Sequence, residues 1–255
     1  MMDTNTFFWI DPNPEPRLIT ETRSYSAVYK PPRMHTAPLK HLDPGKNGLE
    51  ETGQTLLDWI VLRFPEVLFI NGYKENEGGL LHRLDYETQG LVLFARTQKA
   101  FDKLAAQQKT DGIIKEYDAV SAGRAYGMTP AGFPPYSAEM VSAVVESAFR
   151  PYGKGRKQVR PLAAVPGGIH SRPRSYRTEI FSHTAAEGKQ FFRLRISKGF
   201  RHQIRCHLAW IGCPILNDSL YGGKADAAGF LALRASGLSF TDPESGKIVR
   251  ISAAK

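Results

Sequence analysis

Leu80-Leu81-His82-Arg83-Leu84-Asp85-Tyr86-Glu87-Thr88-Gln89-Gly90-Leu91-Val92-Leu93-Phe94-Ala95 is the stretch on which the reading of this chain turns. Gly90 to Ala95 is a continuous apolar run of strand length, the pattern of a strand in the interior of a sheet. The residues before it pack polar side chains between two apolar runs. An aspartate on a loop that feeds directly into a buried strand is held rigidly, which suits a nucleophile or an electrostatic stabiliser. The plainer alternative is a local ion pair between Asp85 and a neighbouring arginine.

Working outward, Tyr25 to Tyr29 alternates as a strand that Lys30-Pro31-Pro32 must end, since two prolines remove donors and restrict the backbone. Gln54 to Phe64 carries Leu56, Leu57, Ile60, Val61 and Phe64 at helical spacing, with Thr52 or Thr55 as its cap and Pro65 as its stop. A second helix is expected from about Gln98 to Gln108, capped by Thr97, burying Ala100, Phe101, Leu104 and Ala105 and ended by Asp111-Gly112. Ile113 to Val120 and Phe192 to Ile196 read as strands, and His202 to Ile211 as a helix stopped by Gly212. Leu231 to Leu233, Leu238 to Phe240 and Ile248 to Ile251 are expected to be closing strands, the last two joined by a turn at Pro243 to Gly246. Gly123 to Ser175 is rich in Pro and Gly, and reads as long loops with a short helix near Ser137 to Phe149. Many strands interleaved with a few helices predict an α+β fold rather than a regular βαβ array.

The 255 residues give room for a substantial core, and the chain is read as one domain over residues 1–255. Its net charge of +9 is unevenly spread: residues 1–149 hold 15 basic and 19 acidic residues, 150–217 hold 14 and 2, and 218–255 hold 5 and 4. An excess of +12 in one span points to a polyanionic partner, nucleic acid being the commonest, against the alternative of a solvated basic face. Two cysteines make no disulfide framework, so a reduced, cytoplasmic protein is expected. The N-terminus has no basic region before its short apolar run, and no stretch approaches a membrane span; neither a signal peptide nor membrane association is expected.

Gly-rich dinucleotide and P-loop motifs and Gly-x-Ser-x-Gly are absent. His202, Cys206 and His207 lie close together, but without Cys-x-x-Cys pairing they read as ordinary buried residues, and no metal is expected. On the same helix Arg201 and Arg205 share a face one turn apart, where two guanidinium groups can hold a phosphate and a carboxylate together; the alternative is a basic helix surface.

The Asp85 stretch resembles the His-Arg-Leu-Asp-x-x-Thr-x-Gly motif of the RluA-type pseudouridine synthases. Further blocks follow in the family's order: Ala27 to Pro32, Ile114 to Val120, and His202 to Leu208 followed by Pro214 to Asp218 and Tyr221-Gly222. The C-terminal Leu231 to Ala235 and Leu238 to Phe240 are also similar. The likeness spans roughly residues 18–252, with 124–175 poorly matched. It implies the pseudouridine synthase fold, a central mixed or antiparallel sheet flanked by helices and loops. It implies isomerisation of a uridine in ribosomal or transfer RNA, with no cofactor, by a protein expected to be a monomer. The family's frequent appended S4-type domain is expected to be missing. A catalytically inactive RNA-binding protein of the same fold is the alternative; a glycosidase-like hydrolase would want a second carboxylate at working distance.

Carried over residue by residue, the resemblance makes Asp85 the essential catalytic aspartate, Tyr117 the ring lying against the uracil, and Arg205 the partner of Asp85. Ile204 would form part of the apolar wall, and Arg83 would fill the gap left by the extracted base. His82, Lys115, Arg201, His202 and Gln203 would contribute further substrate contacts. The family usually has Ser where this chain has Gln89, and Thr-Gly-Arg-Thr where it has Lys198 to Arg201. Arg150, Lys154, Arg156, Lys157, Arg160, Arg172, Arg174 and Arg177 are expected to form an RNA-docking surface.

Overall fold

The computed structural model describes residues 15–38, 54–123, 130–136, 143–162 and 174–253. In chain order these form β1 (Arg17–Glu21), β2 (Tyr25–Lys30), α1 (Leu56–Arg63), β3 (Gln89–Ala95), α2 (Gln98–Lys109), β4 (Ile114–Ser121), β5 (Val144–Tyr152), β6 (Gln158–Leu162), β7 (Tyr176–Ala186), β8 (Lys189–Ile196), α3 (Gln203–Trp210), β9 (Leu233–Thr241) and β10 (Ile248–Ser252). The class is α+β. Two compact units divide the described residues: 15–115 with 234–253, and 116–233.

In the first unit the strands follow the order β1-β2-β3-β9, with β10 paired to β9. All six residues of β2 and all seven of β3 are buried, as a continuous apolar run requires. β2 and β3 pair antiparallel, whereas β3 meets β9 in parallel, Gln89 opposite Arg234 and Gly90 opposite Ala235. This approach leaves no room for a side chain at Gly90: with φ at +121°, an added Cβ would stand 2.2 Å from the Ala235 carbonyl oxygen. α2 lays Ala100, Phe101, Leu104 and Ala105 into a core with Tyr25, Leu91, Leu93 and Phe240. Full burial of each large side chain there is worth roughly 1.5–3 kcal/mol. Thr97 caps α2 by accepting from Ala100 N, and Thr55 forms a capping box with Asp58 at the start of α1.

In the second unit the order is β4-β8-β7-β5-β6. β5 pairs antiparallel with both β6 and β7, and β7 with β8. The segment read as loops with a short helix is therefore corrected: residues 144–152 and 158–162 form a β-hairpin, and 137–142 lie outside the described residues. Val145 and Ser147 are buried while Glu146 between them is exposed, the two-residue period of a strand. Within the described part of the expected helix, pairing with β7 and β6 makes residues 144–152 a strand. α3 packs against β6 and β7, and all eight of its residues are buried.

Candidate active site

Asp85 sits in the first unit on the loop that enters β3. The loop is anchored at both ends: Leu81 N donates to Leu93 O at 3.0 Å, and Thr88 N donates to Asp85 O at 3.0 Å, closing a tight turn under the aspartate. Between them Thr36 clasps Leu84, its hydroxyl accepting from Leu84 N at 3.1 Å and donating to Leu84 O at 3.0 Å. Beneath the turn lies Lys30, with no exposed surface. Its Nζ donates to the carbonyls of Pro31 and Met34 at 2.8 Å each and of Tyr86 at 3.2 Å. Burial pushes this ammonium down to about 7, while the charges of Asp85 and Glu87 pull it back up. Three carbonyls match the three N–H donors of an ammonium, so the cage suits the charged form.

Gln89 is fully buried and accepts from the Tyr29 hydroxyl at 2.7 Å. His82 lies 3.3 Å from Leu91 O through Nε2, and burial, with Lys115 adding to it, lowers its imidazole so that it stays neutral. Lys115 is itself buried and pushed down to about 8, with Asp111 acting in the opposite direction. Arg83 is exposed and pairs with Glu77 at 3.1 Å.

The second unit holds the other candidates. Tyr117 on β4 is buried; the flanking Glu116 and Asp118 face the other side of the strand, towards Arg195 at 2.9 Å and Arg193 at 3.9 Å. On α3, Ile204 and Arg205 are buried, at 4% and 5% exposure. The Arg205 guanidinium grips Asp218 in a two-bond fork, Nε to Oδ2 and Nη2 to Oδ1, each 2.7 Å, and it lies over the Tyr221 ring. Gln203 ties the helix start to β7, donating to Arg177 O at 3.0 Å and Thr178 Oγ1 at 3.1 Å, and accepting from Phe200 N at 3.0 Å. His202, in the left-handed region at φ +57°, places Nδ1 3.1 Å from the Tyr221 hydroxyl, which accepts from Val159 N at 3.0 Å. His207 lies between the hydroxyls of Ser147 and Thr178, at 3.0 and 2.8 Å.

The expected docking cations divide. Arg150, Lys154, Arg156, Lys157, Arg174 and Arg177 are exposed, four of them on or beside the tip of the β5–β6 hairpin. The shared helix face of Arg201 and Arg205 is corrected: Arg201 precedes α3, is exposed and donates to the carbonyls of Arg156 and Gln158 near that tip, whereas Arg205 is buried within the helix. Arg172 lies outside the described residues. Arg160 is corrected: it is 5% exposed, its guanidinium stacked over Tyr152 at 4.1 Å and Phe133 at 4.5 Å and donating to the carbonyls of Ala131 and Val159. It belongs to the interior of the second unit because aromatic faces take a desolvated guanidinium well.

A family model described as RNA pseudouridylate synthase matches residues 24–210, a span holding Asp85, Tyr117 and Arg205. The chain belongs to that family. Among curated family members, ribosomal large subunit pseudouridine synthase D of Vibrio vulnificus is 29% identical over 171 residues, 67% of this chain and 44% of that protein. An uncharacterized RNA pseudouridine synthase of Chloroflexus aurantiacus is 29% identical over 195 residues, 76% of this chain and 54% of that one. The chain thus spans about half the length of the curated relatives it matches. The solved structure of human RNA pseudouridylate synthase domain containing 1 superposes with a TM-score of 0.59 at 18% identity, covering 96% of this chain and 86% of that one. The pseudouridine synthase fold is shared with it.

Sequence reasoning gave no role to Lys30, Asp218 or Tyr221, although each stands in a block quoted for the resemblance. A lysine ahead of two prolines, and an aspartate closing the apolar run Pro214 to Leu216, were the available signals. Among the described residues no helix is long and apolar enough to cross a membrane.

Proposed function

We propose that this chain is an RNA pseudouridine synthase that isomerises a uridine of ribosomal or transfer RNA in the cytoplasm, acting as a monomer. Membership of the family, by a match that spans the Asp85 motif, is the observation that carries this reading. Pseudouridine formation breaks the N-glycosidic bond, turns the uracil and joins its C5 to the ribose. The C5 proton is lost and N1 gains one, so the balance needs no redox partner and no group donor.

Asp85 is assigned the essential step, attack at the ribose or the base, or stabilisation of charge developing there. The anchored turn supports this, because a carboxylate fixed through its backbone loses little freedom on reaching the reacting atoms. Arg205 is assigned the role that the resemblance gives it, the guanidinium serving the reaction. Tyr117 lies against the uracil, where stacking is worth ~1–3 kcal/mol, and Ile204 adds to the apolar wall. Arg83 enters the stack as the target base leaves it, recovering part of an unstacking cost of a few kcal/mol. His82, Lys115, Arg201, His202 and Gln203 shape the surroundings. Arg150, Lys154, Arg156, Lys157, Arg174 and Arg177 meet phosphates. Pseudouridine mapping in RNA from cells with and without this protein tests the reading: one or more uridines lose the modification when the protein is absent, and identical maps contradict it.

A further inference from the structure

A guanidinium buried to 5% exposure on a helix needs an acceptor set that is itself fixed, and Asp218 is built for that purpose. Asp218 is 1% exposed, and its loop fixes it mainly through its backbone. Asp218 N donates to Ile215 O at 3.1 Å, while Asp218 O accepts from Tyr221 N at 3.2 Å and Gly223 N at 2.8 Å. Leu220 N donates to Oδ1 at 3.2 Å. The loop tolerates no side chain at Gly223, where a Cβ would stand 1.8 Å from Ile215 O. Asn217 and Asp226 close it further, Nδ2 to Oδ1 and Asp226 N to Asn217 Oδ1, each at 2.8 Å.

Both oxygens of this fixed carboxylate take the Nε and Nη2 edge of Arg205. A guanidinium is planar, so gripping one edge fixes the direction of the other, Nη1 with the second Nη2 proton, to within the stiffness of the loop. The Tyr221 ring, 5.4 Å from the guanidinium carbon, limits rotation out of that plane. We infer that Asp218 is the positioning residue of the reaction: it aims the second edge of Arg205. This rests on the proposed function, in which Arg205 serves the chemistry. A buried pair that only held the fold together would need no such aim, since stability is indifferent to where the second edge points.

The two roles separate in kinetics. Asp218→Asn, Asp218→Glu and Arg205→Lys are assayed by tritium release from RNA carrying uridine tritiated at C5, with circular dichroism scoring the folded fraction. Folded Asp218→Asn is expected to lose about a hundredfold in kcat, the scale of a small misplacement, with KM for RNA changed by less than about threefold. Asp218→Glu restores the charge on a longer arm and recovers part of kcat. In the double variant Asp218→Asn with Arg205→Lys, the losses do not multiply, because the two residues act as one unit. Folded Asp218→Asn with the kcat of the unaltered protein overturns the inference, and so do losses that multiply. Where Asp218→Asn fails to fold, Asp218→Glu decides: a folded variant with reduced kcat supports the inference and one with unreduced kcat overturns it. Failure of the proposed function looks different, since the unaltered protein then releases no tritium from any cellular RNA, and the positioning role falls with it.

Discussion

Lys30 Nζ donates to the carbonyl of Tyr86, the residue directly after Asp85, at 3.2 Å. With the Pro31 and Met34 carbonyls it forms a closed cage. The lysine ending β2 thus holds the backbone of the turn that presents the aspartate. Lys30→Met keeps most of the volume and strands three carbonyls without their donor. Each buried acceptor left unsatisfied costs about 1–3 kcal/mol, so a loss of roughly 3 kcal/mol is expected in denaturant unfolding, together with a lower rate of tritium release. Stability within about 0.5 kcal/mol of the unaltered protein contradicts the cage.

His207 is fully buried between two hydroxyls, and burial pushes its imidazole down to about 3. An unfolded histidine titrates near 6.5, so between those values the unfolded chain binds the extra proton and the folded one does not. Stability from this residue is complete above about pH 6.5 and falls as the pH drops towards 3, by at most about 1.4 kcal/mol per unit. His207→Gln removes this share. Urea unfolding at pH 7 and pH 5 is expected to show a smaller loss in the variant, by about 2 kcal/mol. Parallel losses in the two proteins contradict the assignment.

Lys154, Arg156 and Lys157 stand exposed at the tip of the β5–β6 hairpin. Replacing all three by Gln is expected to weaken RNA binding and to flatten its dependence on salt, the slope of log K against log salt falling by about 0.7–0.9 for each phosphate no longer neutralised. Filter binding across a salt series reads this. An unchanged slope makes the tip a solvated loop.

Much of the first unit was legible because its signals are local. Leu91, Leu93 and Phe94 form a strand by composition alone, and Ala100, Phe101, Leu104 and Ala105 mark the inner face of α2 at helical spacing. The β5–β6 hairpin was not legible, because Val144 to Phe149 becomes a strand only through partners at 158–162 and 176–179. The net charge over 150–217 does not show which of its cations are already paired within the fold. Arg193 and Arg195 are met by Asp118 and Glu116 from β4, Arg205 by Asp218, and Arg160 by aromatic rings. The exposed cations on and beside the hairpin carry what remains of the charge argument for a polyanionic partner. The resemblance names Arg205 but not the carboxylate that grips it, since a partner thirteen residues away through an irregular loop has no period to betray it.

The most direct test of the central claim is tritium release by Asp85→Asn against the unaltered protein, on cellular RNA carrying uridine tritiated at C5. The substitution removes the charge and nearly keeps the shape. The account predicts release by the unaltered protein and none above background by the variant, with RNA affinity retained. Release by the variant at the rate of the unaltered protein would contradict it.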